Sequence, residues 1–436
     1  MMLRVAVLTG AAIGICSAVY FLSLVIGAGA ITPLAISAAL CVALVWWARL
    51  PVNGVPGKPP LLWLQIAFFV VVAAAAAAFI LLGFKEPHGA WDAWSIWNLH
   101  ARFLERGGAQ WTVLFSKQLN WSQPGYPLLL PALIAQFWTL LRSETSLVPF
   151  VIAFLFTFGT AALLIGAVRQ FRGWDQALIA GAFLLGTTDY IIQGAAQYAD
   201  IPLAFYILAA LALLCFDDAK CTILAGAMAG FAAWTKNEGL LFIVVLIAAR
   251  SIAWWRVAHV FRPLLQELGK LGVGAAPVLL VLALFKFRYA PMNELLFAHQ
   301  PAEILSRAFD FGRYVTVIEG YVKCAFQFGE FLVPAILLLA AYAWLVRFKV
   351  APEHRLGVTT VVAAVVLMLA ADFMVYVLFP NDLVAQINTS IIRLFMQVWP
   401  AGLFAFFWAA TPLDLRPAPP PEAKKHLKKT AATRRR

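Results

Sequence analysis

Long apolar runs separated by short polar segments make up most of the chain. The longest lie at about 5–28, 31–48, 61–83, 147–168, 357–379 and 391–411. Shorter ones lie at about 176–194, 200–216, 221–235, 239–255, 271–287 and 331–346. None alternates strictly as a barrel strand does, and a run of roughly 20 apolar residues matches the thickness of a bilayer core. The pattern predicts an all-α polytopic membrane protein with about 12 transmembrane helices. One further stretch, 126–141, has Pro124, Pro127 and Pro131 at its front. At about 1.5 Å per residue it reaches about 24 Å, short of a core of about 30 Å. It predicts a juxtamembrane or re-entrant helix. Two long loops remain, 85–146 and 288–330. The organisation expected is two N-terminal transmembrane helices over 1–60, a membrane module over 61–411 and a tail over 412–436.

Composition narrows the class. Of 436 residues, 63% are hydrophobic and 12% charged, and mean hydropathy is +0.84. Soluble domains are about 45–50% apolar and about 25% charged. A soluble enzyme, a disordered chain and a secreted disulfide scaffold are excluded. The first apolar run is too long for a signal-peptide core of about 7–15 residues, so it reads as a retained helix. Cys16, Cys41, Cys215, Cys221 and Cys324 include no CxxC pair and read as packing residues.

The net charge of +12 sits mostly at one side of the expected spans. The tail from Arg416 carries Lys424, Lys425, Lys428, Lys429, Arg434, Arg435 and Arg436. A basic run after the last span reads as a cytoplasmic anchor on anionic lipid, not a nucleic-acid site. The positive-inside rule then puts both termini in the cytoplasm of a bacterial inner membrane, with loops 85–146 and 288–330 in the periplasm.

Polar residues in so apolar a chain are candidates for chemistry, because ionisable groups within spans are costly. Asp189, Gln193, Gln197, Asp200, Lys236, Asn237 and Glu238 fall at the outer ends of the short runs between 176 and 255, whose small residues (LAGAMAGFAAW, 224–234) fit a bundle lining a cavity. Asp92 stands between Trp91 and Trp94 in EPHGAWDAWSIW. A carboxylate among indoles can take a proton from a substrate hydroxyl, and the indoles can stack on a sugar; Asp92 also suits an N-cap for the helix from Ala93. Asp200, in QYADIPLAFY, is again either a cap or a site residue. With Asp92 it could bind a divalent metal. Lys236 and Glu238, in TKNEG, form either an ion pair or part of a phosphate site. Arg393, in NTSIIRLFMQVWP, either snorkels or grips a phosphate in a fork. Asp372 lies within a span with no evident partner. His88, His100 and His299 lack metal spacing.

In this order, the Trp-flanked Asp92, the Pro-rich YP…P helix, YADIPLA, TKNEG and SxxR…P resemble the GT-C superfamily of membrane glycosyltransferases. The pattern is most similar to bacterial protein O-mannosyltransferase-like enzymes and lipid A aminoarabinose transferases. The resemblance covers about 61–411. It implies a polyprenyl-phosphate sugar donor, a glycan, lipid or protein acceptor, Asp92 as base, Asp200 as the second-loop acid, and Lys236 and Arg393 at the donor phosphate. The alternatives are a transporter or flippase of a polyprenyl-linked glycolipid, and an assembly protein without chemistry.

Overall fold

The structure, a computed structural model, describes residues 2–48, 59–259, 261–291, 301–329 and 333–412. The basic tail from 413 and His299 lie outside the described residues. Every apolar run folds as a helix, and no strand occurs among the described residues. In chain order the helices are α1 (Met2–Ile26), α2 (Ile31–Trp47), α3 (Leu62–Lys85), α4 (Asn98–Arg106), α5 (Leu129–Leu141), α6 (Leu147–Arg172), α7 (Trp174–Leu185), α8 (Thr188–Ala195) and α9 (Asp200–Leu213). They continue with α10 (Ala219–Thr235), α11 (Asn237–Val257), α12 (Phe261–Arg288), α13 (Pro301–Ala308), α14 (Phe311–Gln327), α15 (Ala335–Leu345), α16 (Arg355–Leu378) and α17 (Leu383–Ala409).

Not all twelve runs fold as helices of spanning length. Among the described residues seven helices are long and apolar enough to cross a membrane: α1, α3, α6, α11, α12, α16 and α17. The pair α7–α8 passes as an eighth, bent by 62° at its break. The other four runs fold as helices of 17, 14, 17 and 11 residues: α2, α9, α10 and α15. Fourteen residues make only about 21 Å of helix. The expected short helix at 126–141 is α5, and most of it is buried against α1 and α4.

The core is built around α9. Each of its residues is buried, enclosed by α6, α10 and α17. A helix apolar on all sides belongs in an interior. The first helix joins the same interior: Trp234 Nε1 donates to Ser17 Oγ at 3.0 Å and the Tyr206 hydroxyl to the Gly10 carbonyl at 2.9 Å. Two guanidiniums fasten helix C-termini, where carbonyls lack partners and the helix dipole favours a cation. Arg172 donates to the Trp408 and Lys349 carbonyls at 2.6 and 2.7 Å. Arg313 donates to the Val377 and Phe379 carbonyls, both at 2.6 Å, at the end of α16.

The small residues of 224–234 serve close packing, and most are buried. At the α10–α12 crossing, a Cβ on Gly226 would lie 2.0 Å from the Leu271 carbonyl oxygen. Gly272, one residue further along α12, faces open space. Gly226→Ala should therefore force the helices apart at a cost of about 1–3 kcal/mol, whereas Gly272→Ala should be neutral or slightly stabilising. Unfolding of both variants in detergent checks this, and equal midpoints would contradict the crossing described.

Candidate functional site

Three helix ends meet at one level of the bundle. α9 begins with Asp200, α10 ends before Lys236, and α11 opens with Asn237 and Glu238. Acids in the first turn and a lysine just past a C-terminus suit the helix dipoles. α17 continues past this level. Its apolar run starts at 391, which predicts Arg393 near the end of a span. The helix instead begins at Leu383, so Arg393 lies more than two turns inside it, about 15 Å from its first residue.

At this level the charged side chains form one connected cluster. Arg393 Nη2 lies 2.6 Å from Asp92 Oδ2 and 3.0 Å from Asp200 Oδ2, and its Nε donates to the same Asp200 oxygen at 3.0 Å. Lys236 Nζ reaches Asp200 Oδ1 at 3.0 Å and Glu238 Oε1 at 2.8 Å. Gln397 Nε2, one turn beyond Arg393, donates to Asp200 Oδ1 at 2.7 Å. Asp200 is fully buried and joins both cations. The Arg393 guanidinium also lies over the Tyr198 ring at 4.7 Å.

Local structure brings Asp92 here. The turn before it has Gly89 at φ +72°, and a Cβ there would lie 2.6 Å from the Ala196 carbonyl oxygen. That closeness lets Ala90 N–H donate to Ala196 O at 3.1 Å. Asn98 Nδ2 donates to the His88 carbonyl at 3.0 Å, and Gln197 Nε2 to the Pro87 carbonyl at 3.3 Å. The loop carrying Asp92 is thus stitched to the segment leading into Asp200. A π-helical turn follows, Ala93–Trp97.

Asp92, Asp200, Lys236, Glu238 and Arg393 come together. Neither Asp92 nor Asp200 uses its side chain as a helix cap. Lys236 and Glu238 do pair, but Lys236 is shared with Asp200. Arg393 does not snorkel. Trp91 and Trp94 contact each other edge-on, with centroids 4.6 Å apart, and are 63% and 41% exposed. Besides Tyr198, the Tyr126 ring lies beside the cluster, 6.0 Å from Lys236 Nζ and packed on buried Trp97 at 5.4 Å. Burial pushes the Tyr126 phenol up to about 12, so it stays neutral.

The residues do not fit a divalent metal held by Asp92 and Asp200, because a guanidinium fills the space between their carboxylates. No group of three or more His, Cys, Asp or Glu among the described residues is arranged as a metal site. Sequence reasoning missed Gln397, Tyr126, Tyr198 and Lys286. Lys286 Nζ donates to Gly125 O at 2.6 Å and Asn237 Oδ1 at 2.7 Å, and has no carboxylate partner among the described residues. Its signal was the KFR sequence, 286–288, closing an apolar run. An apolar groove of about 370 Å³ between α1 and α6, lined by Val5, Ile13, Phe158 and Phe205, is separate from the cluster. No family model, curated protein or solved structure matches the chain.

Removing Arg393 strands two carboxylates. Arg393→Met should cost about 3–5 kcal/mol, and adding Asp200→Asn should recover part of it. Costs that simply add in a double-mutant cycle would show that the two residues do not act as a pair. A second expectation concerns pH. Burial holds His100 down at about 4, with Nε2–H donating to Ser122 O at 2.9 Å. Its unfolded value is about 6.5, so between these values the unfolded chain binds the extra proton. Stability should fall as pH drops from about 6.5 to about 4. Thermal midpoints across that range should flatten in His100→Gln; an unchanged slope assigns the loss elsewhere.

Proposed function

We propose that the chain is an integral-membrane glycosyltransferase. It moves a sugar from a polyprenyl-phosphate donor to a hydroxyl acceptor at the periplasmic face of a bacterial inner membrane, with both termini cytoplasmic. One observation carries the reading. An aspartate, a buried aspartate, a lysine and an arginine from four distant stretches of sequence meet beside a helix long enough to span a bilayer. The resemblance of those stretches, in the same order, to GT-C enzymes supports it.

The chemistry follows from this chain's own groups. Asp92 takes the proton of the acceptor hydroxyl. The hydroxyl oxygen attacks the anomeric carbon as the C–O bond to phosphate breaks, and the phosphate leaves with the electron pair. A direct displacement inverts the centre. Three cations keep hydrogens for that phosphate. Arg393 Nη1 makes no hydrogen bond among the described residues, and Lys236 and Lys286 each use two of three donors. Cations fixed beforehand in a dry site stabilise developing charge effectively. Asp200 holds Arg393 and Lys236 in place.

The test is sugar transfer by the purified full-length protein from a panel of polyprenyl-phosphate sugars. Asp92→Asn should lose about 10²–10⁴ in rate. Arg393→Lys keeps charge but not the fork, and should lose most activity. Transfer at the wild-type rate by Asp92→Asn removes the base. Movement of donor across vesicle membranes without sugar transfer makes the protein a glycolipid flippase instead.

A further inference from the structure

Three acceptor oxygens on the helices of the cluster lack a donor among the described residues. Asp372, in α16, is 2% exposed, and its Oδ2 has no hydrogen-bond partner. Gln397 is fully buried and its Oε1 has none, and Glu238 Oε2 has none. The three residues come from α16, α17 and α11. Gln397 and Lys236 share Asp200 Oδ1, Lys236 also bonds Glu238, and Asp372 lies one helical turn before Tyr376, whose hydroxyl meets Ser390 Oγ of α17 at 2.7 Å, one turn before Arg393. Leaving a buried acceptor unmade is costly, most of all for a carboxylate.

Apart from the unused hydrogens of Lys236 and Arg393, assigned above to the phosphate, three ring donors of α14, α16 and α17 are committed. The Tyr321 hydroxyl bonds the Leu369 carbonyl at 2.9 Å, the Tyr376 hydroxyl bonds Ser390 Oγ at 2.7 Å, and Trp399 Nε1 bonds Thr187 Oγ1 at 3.0 Å. A phosphate brings acceptors only at neutral pH and cannot satisfy these oxygens. A ring carrying several hydroxyls can.

We propose that Asp372, with Gln397 and Glu238, seats the hydroxyl-bearing sugar of the donor, so that the site selects sugar-bearing polyprenyl phosphate over the bare lipid phosphate. This rests on the glycosyltransferase reading above. Asp372 is a specificity residue here: it accepts a hydrogen bond from a sugar hydroxyl, and no bond is made or broken at it. The cations hold the phosphate end, and the orphan acceptors hold the ring.

The experiment measures binding of bare polyprenyl phosphate and of a panel of polyprenyl-phosphate hexoses and pentoses to the full-length protein in nanodiscs. Wild type should bind at least one sugar-bearing lipid more tightly than the bare one. Asp372→Asn retains a neutral acceptor and should weaken that lipid about 10-fold, and Asp372→Leu up to about 100-fold. Neither should change affinity for the bare lipid. Arg393→Lys should instead weaken both lipids alike, which separates the phosphate contacts from the sugar seat. Because the variants replace a buried carboxyl group whose Oδ2 has no partner among the described residues, their thermal midpoints should not fall. If wild type prefers a sugar-bearing lipid and both Asp372 variants keep that preference, water satisfies Asp372 and the seat is overturned, with the proposed function standing. If wild type distinguishes no member of the panel from the bare lipid, the seat and the glycosyltransferase reading fall together.

Discussion

Arg393 reaches from within α17 to two carboxylates that precede it by hundreds of residues, and the charged centre depends on that reach. In a low-dielectric interior each charge is expensive to desolvate, and the attraction between partners offsets this only when geometry is good. Here the geometry is specific: one oxygen of Asp200 receives both Nε and Nη2, and the other receives Lys236 and Gln397. Asp200 is therefore held at both of its oxygens. Its position at the first turn of the most buried helix fixes the cluster to the core. Asp92, bonded through one oxygen, is the less constrained of the two acids.

The short helices account for the depth of this centre. α9 and α10 stop well short of a bilayer's thickness, and their ends provide backbone termini beside α17, where a continuous helix would present only side chains. Irregular backbone at such depth is tolerated when protein surrounds it. The dipoles of α9 and α11 point their positive ends at Asp200 and Glu238, and the negative end of α10 faces Lys236. Partial charges from the backbone thus reinforce the side-chain pairing.

Much of this was legible in the sequence, for a physical reason. In a chain this apolar, Asp92, Asp200, Lys236, Glu238 and Arg393 stand out by the cost of burying them, and that cost implies partners. The partners were legible only in part. Lys236 and Glu238 read as an ion pair or as part of a phosphate site, and they do pair, but nothing in the sequence showed that Lys236 and Arg393 are both bonded to Asp200, a residue that hydropathy places only as the start of a run. Twelve runs were visible, yet hydropathy does not show how long a helix each run forms, and α9 and α10 fold as helices of 14 and 17 residues. The tryptophans differ in exposure. The π-helical turn at Ala93–Trp97 widens the repeat beyond 3.6 residues, which leaves Trp94 outside and turns Trp97 inward. Gln397 carried no signal at all, since a lone glutamine in an apolar helix looks like any other.

The shortness of α9 and α10 also bears on how the chain enters the membrane. A segment of about 21 Å opening with an aspartate is a poor candidate for insertion by itself. Its neighbour α10 ends at Lys236, and the two helices pack together with Asp200 and Lys236 3.0 Å apart. As a hairpin they present lipid with a neutral pair in place of two separate charges, so the pair is an insertion unit as well as a site component. Arg393 emerges from the ribosome much later, and until α17 docks the hairpin has one carboxylate oxygen uncapped. The last long helix among the described residues is thus the element whose arrival completes the pairing of Asp200.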